Sequence, residues 1–472
     1  MSTAEAAPTL APPTLPATLT RGRCYIVLTA GFLAWMFAGM ELSMFVLVGR
    51  AAIVSVLTAG GASTTNPEFV GQWFTWYQAA IMLGAAAGGF VFGWLGDRRG
   101  RTRAMAWSVL CYSIATGACY FAGNLWAILV LRFIVGMGIG GVWPNAVSLV
   151  AEAWPNASRP FLAGLLGTAA NFGFVLLGSL ALVWLVTPQT WRWVPLFGAA
   201  PALMGVWMLM MVPESPKWLA SNRARSQGDT EASAGASSSA NKPAAANPLA
   251  EIFGPTLLRR TLLGILLGAI PVIGTSANGN WLVFWSDHVA ATQAKQQVAD
   301  ATASADAPVK APKPAPDPRK KAITQIQRSG GGIFGSLLGG WLASLVGRRL
   351  TYFLISLFAF VTSTYTFGWL DPMHPWFGLA TFVLGFVGVT YFGWLPLYLP
   401  ELFPTAVRST GTGVSFNSGR IIAAVVVLGA SALITLFRGD FARVGLWTGS
   451  IYALGMLIIL FAPSTGGKKL AD

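Results

Sequence analysis

Charge is scarce in this chain: only 10% of its 472 residues are Asp, Glu, Lys or Arg, against 54% hydrophobic ones. Soluble domains carry roughly 25% charged residues, so a water-solvated globule is excluded and most of the chain must be solvated by lipid. Cysteine is nearly absent as well. Cys24, Cys111 and Cys119 each lie in or beside an apolar run, with no Cys-x-x-Cys and no Cys/His cluster. That argues against a disulfide framework and a structural metal. The two histidines, His288 and His374, fall at expected span ends, so neither is placed for a proton relay inside the membrane. No Walker loop couples ATP and no nucleophile–base pair marks an enzyme, so no cofactor is expected. Residues 1–20 hold no Lys or Arg and lack the basic and apolar segments of a signal peptide.

Long apolar runs are abundant. A bilayer core about 30 Å thick takes about 20 helical residues at about 1.5 Å each. Twelve runs of that order lie near 24–50, 71–95, 103–122, 125–151, 160–185 and 192–212, then near 258–286, 323–346, 349–369, 375–399, 409–436 and 442–462. The expected fold class is an all-α membrane protein. The 54 glycines and 20 tryptophans suit close helix packing in lipid and anchoring at its interfaces.

A net charge of +14 would suit a nucleic-acid binder, but the basic residues sit in short loops rather than on one face, so no nucleic-acid partner is expected. They set topology instead. Arg21, Arg23, Arg98, Arg99, Arg101, Arg103, Arg159, Arg259, Arg348 and Arg408 share one side, which the positive-inside rule makes cytoplasmic, with both termini. The stretch 287–322 carries Lys295, Lys310, Lys313, Arg319, Lys320 and Lys321 on the other side. Long loops cross regardless of charge, so it is expected to be an external insertion. The organisation read this way is a tail over 1–22, a six-helix bundle over 23–219, a flexible cytoplasmic linker over 220–255, a second bundle over 256–463 and a tail over 464–472.

The two halves repeat. Glu152-Ala153-Trp154-Pro155 followed by Arg159 has the same spacing as Glu401-Leu402-Phe403-Pro404 followed by Arg408. Gly93, Gly100 and Arg101 recur as Gly340, Gly347 and Arg348, with Ser344 where Asp97 stands. Parallel repeats of this kind place a binding site at their interface near the membrane midplane.

Gly93-Trp94-Leu95-Gly96-Asp97-Arg98-Arg99-Gly100-Arg101 resembles the signature loop of the major facilitator superfamily. Pro213-Glu214-Ser215-Pro216-Lys217-Trp218-Leu219 is similar to the P-E-S-P-R-W-L element of sugar porters, with Lys217 replacing arginine. Glu401 to Arg408 resembles the E-L-F-P-x-x-x-R stretch of metabolite, aromatic-acid and sialic-acid proton symporters. The resemblance implies two six-helix pseudo-repeat bundles that alternate access, with gating roles for Asp97, Arg101, Glu152, Arg159, Glu401 and Arg408. It implies secondary active, proton-coupled symport of a small organic anion across the cytoplasmic membrane. A sugar or polyol symporter and a non-transporting receptor on the same fold stay open. The partners would be a small substrate, protons and the bilayer, and a monomer is expected.

Glu41 is the one acid well inside an apolar span, where a charge costs roughly 3 kcal/mol by insertion scales, so it points to function. It lies about 15 Å and Arg132 about 12 Å from the outer ends of their spans, so the two are expected to meet. Together they form the candidate proton-coupling pair; a permanent bridge joining two helices is the alternative. Ala38-Gly39-Met40-Glu41 resembles the Asp-Gly-x-Asp of proton-coupled relatives, with Ala38 in place of the first acid. Arg420, near the midplane and without an acid in its span, is the candidate anchor for an anionic substrate, because guanidinium grips carboxylate in a bidentate fork. Asn145, Asn171, Asn278, Asn280 and Asn417 are substrate candidates or interhelical glue. Arg328 either lines the anion path or snorkels outward. Gly136-Met137-Gly138-Ile139-Gly140-Gly141 fits G-x-G-x-x-G, yet it sits inside an apolar span and thins a helix for packing instead of holding a dinucleotide.

Overall fold

The computed structural model describes residues 19–61, 66–154, 159–216, 218–220, 222, 248–303, 317, 319–404 and 407–465. Twelve helices among them are long and apolar enough to cross a membrane. The first half contains α1 (Arg21–Ala59), α2 (Glu68–Gly96), α3 (Arg101–Phe121), α4 (Leu125–Ala153), α5 (Gly164–Val183) and α6 (Trp193–Met211). The second contains α7 (Leu258–Gln293), α8 (Lys320–Val346), α9 (Arg348–Trp369), α10 (Phe377–Leu402), α11 (Thr410–Leu436) and α12 (Phe441–Ile459). Large apolar side chains such as Phe121, Leu203, Met210, Trp369 and Leu436 are exposed, as a lipid-facing surface requires. The helices form two six-helix bundles that meet chiefly where α2 packs on α11 and α5 on α8.

Close helix approach explains the glycine run of α4. A Cβ at Gly136 or Gly140 would overlap the carbonyl oxygens of Ile81 and Ala85 in α2, so the G-x-G-x-x-G match is a packing device. The repeated glycines at the two signature turns also have a backbone reason. Gly100 (φ 109°) and Gly347 (φ 95°) turn α2 into α3 and α8 into α9, in a region that side-chain-bearing residues rarely enter.

Two expected loops prove more ordered than their composition suggests. The helix of α7 contains Pro271 and a π-helical turn over Gly274–Gly279, then continues through Asn280–Ala303. The expected 287–322 loop is therefore helical over 287–303 and again from Lys320; residues 304–316 and 318 lie outside the described ones. Lys321 is only 5% exposed. Its ammonium is used by an ion pair and a carbonyl described below, so it does not behave as a loop charge. At the far end of the 220–255 linker, a turn at Pro248–Ile252 packs on the second bundle, with Ile252 buried and its carbonyl accepting from Thr261 Oγ1 at 2.7 Å. Residues 223–247 of that linker, and 1–18 and 466–472 of the tails, lie outside the described residues.

Candidate functional site

Glu41 sits on α1 with no exposed surface. Thr116 of α3 donates its hydroxyl to Glu41 Oε2 at 2.7 Å, while Oε1 is buried without a hydrogen-bond partner. Gly198 at the start of α6 makes room for that oxygen: a Cβ there would come within 2.8 Å of Oε1. Arg132 of α4 is also buried. Its guanidinium lies 4.5 Å from the centre of the Phe45 ring, and Nε and Nη2 have no hydrogen-bond partner. The two groups are within electrostatic reach of each other and of Cys119. Yet no ion pair joins them among the described residues. This conformation thus brings the expected pair into one cluster without the direct bridge. Thr116 was missed in the sequence. With Tyr112 one turn before it on α3, it makes an i, i+4 polar pair that could have revealed it.

Arg420 lies at the boundary between the bundles. It is 8% exposed; its guanidinium stacks 4.8 Å from the Phe416 ring centre, and Nη1 donates to the Ala85 carbonyl of α2 at 3.3 Å. No acid pairs with it among the described residues. Asn417, one turn earlier, faces Gly89 of α2 so closely that a Cβ at Gly89 would come 2.6 Å from its Oδ1.

The other asparagines divide. Asn145 Nδ2 donates to the Phe92 carbonyl at 3.1 Å and the Gly141 carbonyl at 2.8 Å, tying α2 to α4. Asn278 donates to the Gly445 carbonyl at 2.8 Å and accepts from Ser363 Oγ at 3.1 Å, tying α7 to α9 and α12. In this conformation both amides are interhelical glue. The side-chain amides of Asn171 and Asn280 make no hydrogen bond among the described residues, and Asn171 lies against Gly332 of α8 across the bundle boundary. Arg328 does not snorkel outward: it is 7% exposed and lies 5.2 Å from the ring centre of Phe174 on α5.

The repeat motifs gather at one end of the bundles. In the first half, Glu214 accepts from the Thr102 backbone N–H at 3.1 and 3.2 Å, capping α3, and Ser215 donates its hydroxyl to Glu152. In the second half, Arg348 donates to both oxygens of Glu401 at 2.9 and 3.3 Å, and Thr465 donates to the same carboxylate. Arg348 belonged to the repeated Gly-Arg pair but had no assigned role until the fold placed it beside Glu401. The side chains of Asp97, Arg159 and Arg408 lie outside the described residues, and Arg101 opens α3.

The opposite end is closed across the bundles. Asp287 of α7 pairs with Arg50 of α1 at 3.6 Å and Lys321 of α8 at 3.5 Å. Lys321 also donates to the Val186 carbonyl of the first half at 2.9 Å. Beside this triad, Phe74 of α2 packs 4.5 Å from Phe284 of α7, ring centre to ring centre. Arg50 and Asp287 were not singled out from the sequence, because each lies near a span end where charge is commonplace, and Lys321 was read only as a loop charge.

A chain of paired bundles, bridged to each other at one end and holding lone ionisable groups at the middle, matches the family model "Sugar (and other) transporter" over residues 43–471. The chain belongs to that family of the major facilitator superfamily. It is accordingly an integral membrane transporter and not an enzyme. Among curated relatives of this sugar-transporter family member is the niacin transporter NiaP of Acinetobacter baylyi, 27% identical over 94% of this chain and 95% of that one. The cis,cis-muconate transport protein of the same organism is 26% identical over 84% of each chain. The inner membrane metabolite transport protein YhjE of Escherichia coli is 28% identical over 83% of this chain and 84% of its own. A solved D-xylose-proton symporter has the same fold, with a TM-score of 0.65, 16% identity, and coverage of 95% of this chain and all of the other.

Proposed function

We propose that this transporter carries a small organic anion together with a proton, by alternating access between its two bundles. The observation that supports the anion is the state of Arg420 and Arg328: both are buried at the bundle boundary with no acidic partner among the described residues. Isolated buried charges are costly unless something pairs with them, and a substrate carboxylate is a mobile partner that a fixed acid would displace. Glu41 supplies the proton step. A buried carboxyl with no cation bridged to it is a place where a proton can be loaded, and in this conformation Thr116 donates to one of its oxygens. A movement of α1 against α4 that brings Arg132 onto the carboxyl would stabilise the charged form and release the proton. Two relatives named for carrying niacin and cis,cis-muconate agree with an organic-acid substrate.

The test is uptake of radiolabelled organic acids into proteoliposomes. An imposed pH gradient, acid outside, should drive accumulation that a protonophore abolishes. Binding without flux would make the protein a receptor, and flux indifferent to the gradient would remove the proton. A neutral sugar or polyol is the second reading, favoured by the uncommitted amides of Asn171 and Asn280, which suit hydroxyl groups.

The lysine and arginine distribution of the short loops supports cytoplasmic termini, and the alternation of twelve spans then puts the 287–322 stretch outside. A cysteine placed at Ala307 should react with an impermeant maleimide on intact cells. Reaction only after permeabilisation would invert the topology.

A further inference from the structure

Arg132 of α4 meets α1 at a ring instead of an acid. Its guanidinium lies 4.5 Å from the centre of the Phe45 ring, with Nε and Nη2 buried and without hydrogen-bond partners. Glu41 precedes Phe45 by four residues, about 6 Å at about 1.5 Å each, so carboxyl and ring follow one another on one face of α1. Both residues are buried, and Glu41 Oε1 also lacks a hydrogen-bond partner. The ring is held in place by its neighbours. Tyr77 of α2 meets it edge-on, 4.8 Å between centres at 75°, and Tyr77 is itself fixed by donating its hydroxyl to the Leu125 carbonyl of α4 at 3.1 Å. Gly49, one turn further along α1, leaves the ring its space: a Cβ there would come 3.0 Å from Phe45 Cδ1 and 3.0 Å from Phe74 Cδ2. The other ionisable groups facing this cluster are Tyr112 and Cys119 of α3 and Tyr77 of α2, all neutral near neutral pH at their ordinary values. The α5 and α6 spans contain no titratable side chain. Arg192, before α6, donates to the Tyr120 and Ala122 carbonyls, and further along α1 Arg50 is taken by Asp287 of α7.

We infer that Phe45 is a positioning residue for proton coupling: its ring is the seat that holds Arg132 off Glu41, and it thereby sets the pH at which that carboxyl takes up its proton. This rests on the proton-coupling reading of Glu41 above and adds where the arginine waits while the carboxyl is loaded. A desolvated guanidinium needs an electrostatic partner, and the negative face of an aromatic ring provides one without a hydrogen bond and without a titrating group. The seat therefore attracts the cation equally at every pH. The ion pair with Glu41 forms only once the carboxyl has lost its proton, so ring and carboxylate compete for one guanidinium. With Arg132 on the ring, the carboxyl is free to take a proton. With Arg132 one turn back along α1, on the carboxyl, the charged form is stabilised and the proton leaves. Weakening the seat frees Arg132 for the carboxylate, and loading then needs a more acid solution.

The test is an infrared pH titration of the purified full chain in lipid nanodiscs. It reads the carbonyl stretch of the protonated Glu41 carboxyl, assigned by its loss in Glu41→Gln. Phe45→Leu should move the midpoint of that band toward more acid pH by about one unit, the scale of a cation–ring attraction away from water. Trifluorophenylalanine at position 45 keeps the shape of the ring and drains charge from its face, so it should shift the midpoint in the same direction. A singly fluorinated ring should fall between it and wild type. A side chain that only fills space would leave the midpoint where it is, and in an Arg132→Gln background the ring substitutions should not move it. If the wild-type band titrates and the fluorinated rings leave its midpoint unchanged, the seat is wrong and Glu41 keeps its coupling role; these rings decide the matter even where Phe45→Leu fails to fold. A shift of equal size in the Arg132→Gln background would also overturn the seat, because Phe45 would then act by packing. If no Glu41 band titrates in the folded wild type, Glu41 is not the proton carrier and the seat falls with it.

Discussion

Glu41→Gln is expected to exchange substrate across proteoliposome membranes but to accumulate none against its gradient. Glutamine keeps the shape of the protonated acid and still accepts from Thr116 Oγ1, the one side-chain hydrogen bond of Glu41 among the described residues. It cannot lose a proton, so the cycle can shuttle loaded carriers in both directions without the pH gradient acting on either. For one proton per anion, a gradient of about one pH unit supports about tenfold accumulation, since a tenfold ratio corresponds to about 1.4 kcal/mol. Wild type should approach that ratio and the variant should stop near unity, with counterflow exchange within a few-fold of wild type. Full accumulation by the variant would remove Glu41 from coupling. Loss of substrate binding in a folded variant would move it to the substrate site instead.

Arg420 decides between an acid and a neutral substrate. In the present conformation its guanidinium leans on Phe416 and donates to the Ala85 carbonyl at 3.3 Å, its one hydrogen bond among the described residues. A substrate carboxylate would replace that contact with a charge-assisted fork. Arg420→Lys keeps the charge and loses the planar geometry, so acid affinity should fall by about 1.5–3 kcal/mol, or about tenfold or more in Kd. Arg420→Gln should be worse for an acid. A sugar site would tolerate it, because an amide still bonds hydroxyls. The measurement is Kd for the best acid and the best sugar with wild type and both variants. A protein that binds only the sugar, and binds it equally well as Arg420→Gln, would overturn the organic-anion assignment. Unchanged acid affinity with slowed transport would make Arg420 a strut between α2 and α11.

How far residues revealed their roles depended on how local the physics was. Glu41 stood out because one carboxyl within an apolar span has few structural explanations. The paired bundles were legible because two motifs recur in each half, and Gly100 and Gly347 do adopt the same positive φ. Asn145 and Asn278 looked equivalent to Asn171 and Asn280. The difference lies in backbone carbonyls of other helices, Phe92 for one and Gly445 for the other, whose positions depend on helix rotation and tilt. Arg328 read as ambiguous for the same reason, since a residue near a span end faces lipid, headgroups or protein according to the phase of its helix.

The sequence by itself determined the number of spans and the family, because the length of an apolar run is set by the thickness of the bilayer and a signature turn by its own glycines. It also singled out the ionisable groups at mid-depth, since each costs too much there to be incidental. Only the tertiary structure decided which of those groups are already satisfied. Thr116 reaches one oxygen of Glu41, Arg348 holds Glu401, and Asp287 joins the bundles through Arg50 and Lys321. Each of these contacts spans different helices. Hydrogen bonds and ion pairs of a few ångströms are fixed by how helices pack, which no local pattern of residues encodes.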